Sequence, residues 1–322
     1  MDRPRIFIAS PAAAADNNGN WQTASRWAHF LGERCAVEVG KAWPPGAGAP
    51  DLLIALHARR SAGALAAFAA AFPGRPAILV LTGTDLYRDI DTSPDARASL
   101  ERADALVLLQ EAGLARLPPA LRAKARVIYQ SAPSLAAPAA RDTGAIDICM
   151  IGHLRPEKDP QTFMRAAALV TAPGVRLLHI GRALDPTWHA AAQAAMAATS
   201  RYRWLGALPH EETRARLAAS RAMAIASTME GGANVIIEAV TSGVPVLASD
   251  IEGNRGMLGE DYAGYFPAGD AAALARLIDR CAADPAFDAL LLRQCAARAP
   301  LFAPAAEQAA LLDLVDNLLR PS

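Results

Sequence analysis

Short, uninterrupted apolar runs alternate with helical stretches along almost the whole chain. This alternation restricts the fold more than any other feature. In the first half the strand-like runs fall at 6–9, 36–39, 52–56, 78–81, 105–109 and 126–129, with helices expected at 21–31 and 62–71. A strand that is apolar on both faces must be covered on both, and a parallel sheet with helices on each side provides that cover. The stretch 131–144 carries Pro133 and Pro138, has little apolar periodicity, and reads as an interdomain linker. A second series follows, with strands expected at 146–151, 175–180, 202–205, 223–227 and 246–249. Its helices are expected at 160–170, 186–198, 211–219, 233–241 and 271–282, and a last helix at 305–319 closes the chain. The expectation is an α/β protein of two Rossmann-like, doubly wound domains facing an interdomain cleft. The expected divisions are residues 1–135, residues 136–302 and a C-terminal helix over 303–322.

Composition agrees with this and narrows the partners. With 322 residues, 52% of them hydrophobic, the chain is able to bury one large core or two ordinary ones. Its 32 basic residues balance its 32 acidic ones, so no net field draws it to nucleic acid or to an anionic membrane. No apolar run approaches the roughly 20 residues that span a bilayer, so no integral membrane segment is expected. Arg3 and Arg5 before apolar residues imitate a weak secretory leader, but the apolar run ends at Ser10-Pro11, and a first buried strand is the better reading. Cys35, Cys149, Cys281 and Cys295 form no C-x-x-C pair and no metal spacing with the histidines. Buried thiols in the cytoplasm are expected.

In doubly wound sheets ligands bind beyond the carboxyl ends of the strands, which selects the polar residues that matter. After the first strand come Asp16, Asn17, Asn18, Gly19 and Asn20. After the third come His57, Arg59 and Arg60, and after the fourth Thr82, Gly83, Thr84 and Asp85. In the second series Gly152, His153, Arg155 and Lys158 follow the first strand, Gly181 and Arg182 the second, and Glu230 to Asn234 the fourth.

The last of these groups is the most informative. The chain reads E-G-G-A-N-V-I-I-E from Glu230 to Glu238, then A-V-T-S-G-V-P-V-L-A-S-D. A turn through Gly231 and Gly232 feeding a helix at Ala233, Asn234 and Val235 presents backbone N–H groups and a positive dipole end to a phosphate. Carboxylates flanking that turn repel a bare phosphate and are better matched by sugar hydroxyls, so the ligand expected is a nucleotide-sugar. In the first half, Gly19 and Asn20 opening a helix with Thr23 and Arg26 suit a small tetrahedral anion, and Arg59 and Arg60 add guanidinium forks. His57 is expected to line the sugar site. Asp89-Ile90-Asp91 imitates a D-x-D metal motif but reads as a turn. No G-x-G-x-x-G is present for a dinucleotide, and neither a metal nor another cofactor is expected.

The stretch from Glu230 to Asp250 resembles the E-x7-E signature of retaining GT-B glycosyltransferases of the family-4 type. G-H-L-R-P-E-K-D-P at Gly152–Pro160 resembles the phosphate motif of the same family. The strings L-H-A-R-R-S at Leu56, L-T-G-T-D-L-Y-R-D at Leu81, L-R-A-K-A-R-V-I-Y-Q-S at Leu121 and G-E-D-Y-A-G-Y-F-P at Gly259 resemble, more narrowly, the selenosugar synthases of selenoneine biosynthesis. Those enzymes join selenophosphate to the sugar of a UDP-sugar.

The resemblance implies an N-terminal acceptor domain, a C-terminal donor domain and a last helix that crosses back to the first domain. It implies that Glu238 holds the ribose, that Glu230 holds the transferred sugar, and that Arg155 and Lys158 stabilise the departing diphosphate. His153 stands where an arginine is usual. Either Arg155 supplies the displaced guanidinium or His153 donates a hydrogen bond, and the sequence leaves both open. The donor set is then His153, Arg155, Lys158, Glu230, Gly231, Gly232, Ala233, Asn234, Val235 and Glu238. The acceptor set is Gly19, Asn20, Thr23, Arg26, His57, Arg59, Arg60 and Thr84, with selenophosphate handed over by the enzyme that makes it. The sugar, N-acetylglucosamine or glucose, stays open. The rivals are an O-glycosyltransferase acting on an alcohol or lipid, and a non-catalytic nucleotide-sugar-binding protein.

Overall fold

A computed structural model of the chain describes residues 3–13, 19–41, 43, 48–135 and 145–320. Asp16, Asn17 and Asn18, and the part of the expected linker that includes Pro138, lie outside the described residues. Contacts divide the chain into two units, Met1–Gln130 with Pro304–Ser322 and Ser131–Ala303.

Unit 1 is built on six parallel strands, β1 Arg5–Ala9, β2 Ala36–Gly40, β3 Leu52–Leu56, β4 Ala77–Leu81, β5 Ala105–Leu108 and β6 Ala125–Val127, in the order β2-β1-β3-β4-β5-β6. Its helices are α1 Gly19–Gly32, α2 Ala62–Ala71, the short α3 Ile90–Thr92, and α4 Pro94–Arg102. Successive strand side chains point to opposite faces, and the two cores show it. Phe7, Leu53, Leu79 and Leu106 pack with Leu65 and Phe68 of α2 and Leu100 of α4. Ile6, Ile54, Ile78 and Val107 pack on the other face with Trp27 and Leu31 of α1. The chain's last helix in this unit, Pro304–Leu319, completes that second face through Leu311, Leu314 and Val315.

Unit 2 repeats the plan. Its strands are β7 Ile146–Ile151, β8 Val175–Ile180, β9 Tyr202–Gly206, β10 Ala222–Ile225, β11 Val246–Ser249 and β12 Tyr265–Phe266, ordered β12-β11-β10-β7-β8-β9 and all parallel. Its helices are α5 Pro160–Leu169, α6 Pro186–Ala198, α7 His210–Ala219, α8 Asn234–Thr241, α9 Glu252–Leu258, α10 Ala271–Ala283 and α11 Pro285–Arg298, which makes the terminal helix of unit 1 α12. Strand order reverses between β7 and β10, so the loops that follow these two strands open a crevice between them. Among the described residues no helix is long and apolar enough to cross a membrane.

Candidate active site

The crevice at the β7–β10 switch point collects most of the donor residues named from sequence. The ladder between β7 and β8 runs on past both strand ends: the Gly152 N–H donates to Ile180 O at 2.9 Å, and the Leu154 N–H donates to Arg182 O at 2.9 Å. That zipping needs Gly181, whose φ is 155° and where an added Cβ would lie 1.9 Å from Gly152 O. The chain then makes a tight turn over Pro156–Lys158 and enters α5 through Asp159. Asp159 adopts the left-handed conformation, φ 42°, and caps the helix by accepting from the Thr162 N–H at 3.3 Å. This turn aims Lys158 back over Gly152 and across to the loop after β10.

There Lys158 Nζ meets Glu230 Oε1 at 2.5 Å, with the two side chains 14% and 11% exposed. The same carboxylate oxygen accepts from Ser227 Oγ at 2.5 Å, and the Thr228 N–H donates to Glu157 O at 2.9 Å. The two loops are therefore joined by a backbone bond and by an ion pair. The sequence reading treated Lys158 and Glu230 as separate ligands, one for phosphate and one for sugar. The structure adds that the ammonium and the carboxylate pair with each other. After Glu230 the chain bends through Gly231 and Gly232, and α8 begins at Asn234, with no side-chain cap from Ala233. The first turn of α8 holds no acidic residue, so nothing in it offsets the positive end of the helix dipole.

His153 defines the electrostatics. Burial lowers its pKa below the usual imidazole value, and Arg182, Arg155 and Lys158 lower it further. Its Nδ1 accepts from the Arg182 N–H at 3.2 Å, so the proton of the neutral ring sits on Nε2, leaving that nitrogen a donor. With Nδ1 occupied, the ring offers Nε2–H as a donor, and the exposed Arg155 guanidinium stands beside it. Arg155 and Arg182 are exposed and make no ion pair among the described residues. Three cations around a neutral histidine, only one of them compensated, make a seat for an anion. Glu238, on the second turn of α8, is 15% exposed and lies 3.2 Å from His210 Nε2 of α7, a partner the sequence reading missed. Beside this site, a cavity of about 600 Å³ is lined by Arg182, Leu184, His189 and Trp204 at the ends of β8 and β9.

In unit 1 the acceptor residues are only partly brought together. His57 ends β3 with φ 75° and is 2% exposed. Its Nδ1 accepts from the Arg60 N–H at 3.3 Å, and its Nε2 lies 3.1 Å from Thr84 Oγ1. Burial lowers its pKa, with Arg60 and Arg59 adding to that and Asp85 and Asp89 opposing. The neutral ring thus bridges the loops after β3 and β4. Asp85 stitches the same two loops, accepting from the N–H groups of Ala58, Thr82 and Gly83 at 2.9, 2.9 and 2.8 Å. Asp89 is desolvated, yet hydrogen bonds from Arg59 and Arg88 hold its carboxyl below the usual range. Among the described residues no group of three or more His, Cys, Asp and Glu is gathered to hold a metal ion.

Three of the expected acceptor residues have partners within unit 1. Arg26 Nε is paired with Glu307 Oε2 of α12 at 2.7 Å, and that glutamate is fully buried, so Arg26 serves helix docking. Thr23 is 1% exposed, donates to Gly19 O at 2.8 Å and accepts from Gln130 Nε2, so its hydroxyl fixes the first turn of α1. Arg59 places its Nε 2.7 Å from Asp89 Oδ2, a carboxylate that it shares with Arg88. Gly19 and Asn20 do open α1 as expected, and Arg60 is exposed without an ion pair among the described residues.

The model of the family described as "Glycosyl transferases group 1" matches residues 134–300. The chain belongs to this family of glycosyltransferases. The fold is that of solved relatives in the GT-B class. HepE from Anabaena, in complex with UDP and glucose, is 18% identical with a TM-score of 0.77, covering 98% of this chain and 100% of that one. Sucrose-phosphate synthase from Thermosynechococcus elongatus is 18% identical with a TM-score of 0.80, covering 98% and 99%. A glycosyltransferase from Rickettsia africae is 13% identical with a TM-score of 0.76, covering 100% of each.

Proposed function

We propose that this glycosyltransferase takes its sugar from a UDP-sugar and passes it to selenophosphate, giving a 1-selenosugar, UDP and phosphate. The observation that carries the donor half is the cationic seat at the β7–β10 switch point, where Arg155, Lys158 and Arg182 surround His153 and Lys158 reaches the loop that leads into α8. Uridine diphosphate fits it in charge, and the solved HepE complexes contain UDP and UDP-glucose. The base and ribose are assigned to the cavity beside Trp204 and to Glu238, and the transferred sugar to Glu230.

When the bond from the anomeric carbon to the diphosphate oxygen breaks, negative charge grows on the β-phosphate. Fixed cations already in place stabilise it with little reorganisation. Lys158 moves from Glu230 toward that oxygen, which frees the carboxylate to accept sugar hydroxyls. Selenium attacks the anomeric carbon with its own electron pair, so no base is needed to remove a proton, unlike transfer to an alcohol. Water then cleaves the Se–P bond, releasing phosphate. The assignment of selenophosphate rests on the sequence strings around Leu56, Leu81, Leu121 and Gly259, and its seat is assigned to Gly19, Asn20, His57, Arg60 and Thr84.

A second reading has an observation in its favour. Arg26 is paired with Glu307, and Arg59 shares Asp89 with Arg88; a site with less uncompensated positive charge than expected suits an alcohol. Mass spectrometry of reactions with UDP-N-acetylglucosamine or UDP-glucose and selenophosphate separates the two. The proposal expects a selenosugar with no alcohol added; turnover that appears only with an alcohol acceptor overturns it in favour of O-glycosyl transfer.

A further inference from the structure

Glu230 is held by more than Lys158. Its second partner, Ser227, lies two residues beyond the end of β10 and is 0% exposed. The Ser227 hydroxyl donates to Glu230 Oε1 at 2.5 Å. The Ser227 carbonyl in turn accepts from Ser249 Oγ of β11 at 2.6 Å. Ser249 is fixed by Asn254 of α9, whose Nδ2 donates to Ser249 O at 2.9 Å and to Ser249 Oγ at 3.0 Å. All three residues are 0% exposed. Alongside Asn254, Gly253 lies against the backbone of Glu230, where an added Cβ would stand 2.0 Å from Glu230 O.

We infer that Ser227, Ser249 and Asn254 are positioning residues that aim the Glu230 carboxylate, so that α9 and β11 set the geometry of the sugar contact. Buried polar side chains are costly unless they are hydrogen-bonded. A run of them ending on one carboxylate is better explained by orientation of that carboxylate than by packing. When Lys158 leaves Glu230 for the diphosphate, Ser227 is the partner that remains and keeps Oε1 from swinging with it. The first two links have different tasks: Ser249 locks the Ser227 peptide, and Ser227 locks the carboxylate.

The inference rests on the donor-site reading above, and the test keeps the two apart. Titration calorimetry with UDP, and steady-state kinetics with UDP-glucose and UDP-N-acetylglucosamine, are run on the whole chain as wild type, Ser227→Ala, Ser227→Thr and Ser249→Ala. Ser227→Ala is expected to bind UDP within about twofold of wild type and to lose roughly tenfold in kcat. Ser227→Thr, which keeps the hydroxyl, restores most of it, and Ser249→Ala loses less than Ser227→Ala. Equal losses in UDP affinity and kcat, or a kcat unchanged in Ser227→Ala, overturn the positioning role. A wild-type protein that does not bind UDP at all overturns the donor-site reading instead.

Discussion

Lys158 and Glu230 face each other at 2.5 Å across two loops, so each substitution acts on both. Lys158→Ala is expected to lower kcat by tenfold or more through loss of leaving-group stabilisation. It also strands a mostly buried carboxylate, which costs on the order of 2 kcal/mol. Thermal unfolding and kinetics separate these effects: the double variant Lys158→Ala/Glu230→Ala regains stability while activity stays lost. Recovery of activity together with stability would show that the pair serves the fold alone. His153 offers a second test at this scale. Its pKa in the free protein is lowered by burial and by Arg182, Arg155 and Lys158, so the ring is neutral at pH 7. An arriving diphosphate reverses that field and raises the pKa. Binding therefore takes up a proton between the two values, and affinity rises as pH falls below neutrality. A UDP-sugar is the right probe, because its diphosphate diester does not itself titrate there. Calorimetry in buffers of different ionisation enthalpy should show the uptake in wild type and its loss in His153→Gln; uptake that persists in the variant assigns the proton elsewhere.

At the scale of elements, the proposed donor site depends on how tightly the loops after β7 and β8 are zipped. Gly181→Ala puts a Cβ into Gly152 O in a conformation that L residues rarely adopt. Such strain costs about 1–3 kcal/mol, and urea unfolding should show a loss of that size along with weaker UDP binding. An unchanged midpoint would mean that the loops relax freely. The same elements show what the sequence could carry. The strand at 52–56, the helix at 186–198 and the strand at 246–249 coincide with β3, α6 and β11, because continuous apolar runs and a Pro start with an Asp cap are local signals. Strand β12 was missed because two residues, Tyr265 and Phe266, are too short for any pattern and exist as a strand only by pairing with β11. Helices α4 and α11 were passed over despite their caps at Ser93 and Asp284. The site was legible as a set of residues, since loop position after a strand is read directly from the chain. Its pairings were not: Lys158 and Glu230, Glu238 and His210, and Arg26 and Glu307 are distant in sequence and meet only through the folded sheets. Asp85 was marked by its position after a strand, but its task of binding the backbone of two loops was not legible, and Asn254 carried no signal at all.

At the scale of the molecule, unit 1 is discontinuous: it needs the last helix of the chain. Glu307 of α12 is 1% exposed and accepts from Arg26 Nε and Trp27 Nε1, each at 2.7 Å, while Leu311, Leu314 and Val315 fill the face beside α1. Ending the chain at Ala303 leaves Arg26 mostly buried without its carboxylate and uncovers that face. Exposing three large apolar side chains costs roughly 1.5–3 kcal/mol each, which together is comparable to the whole stability of a typical domain. Differential scanning calorimetry of the truncated chain should show unit 1 unfolded or melting far earlier, with the unit 2 transition retained. A thermogram identical to that of the full chain would contradict the assignment of α12 to unit 1. What unites the molecule is chemistry: the crevice between β7 and β10 is proposed to receive the diphosphate of a nucleotide-sugar. A crystal structure of the protein with UDP tests it most directly. The account predicts the β-phosphate within hydrogen-bonding distance of Lys158 and the first turn of α8, with Glu230 released from Lys158 but still held by Ser227; UDP bound away from that crevice would contradict it.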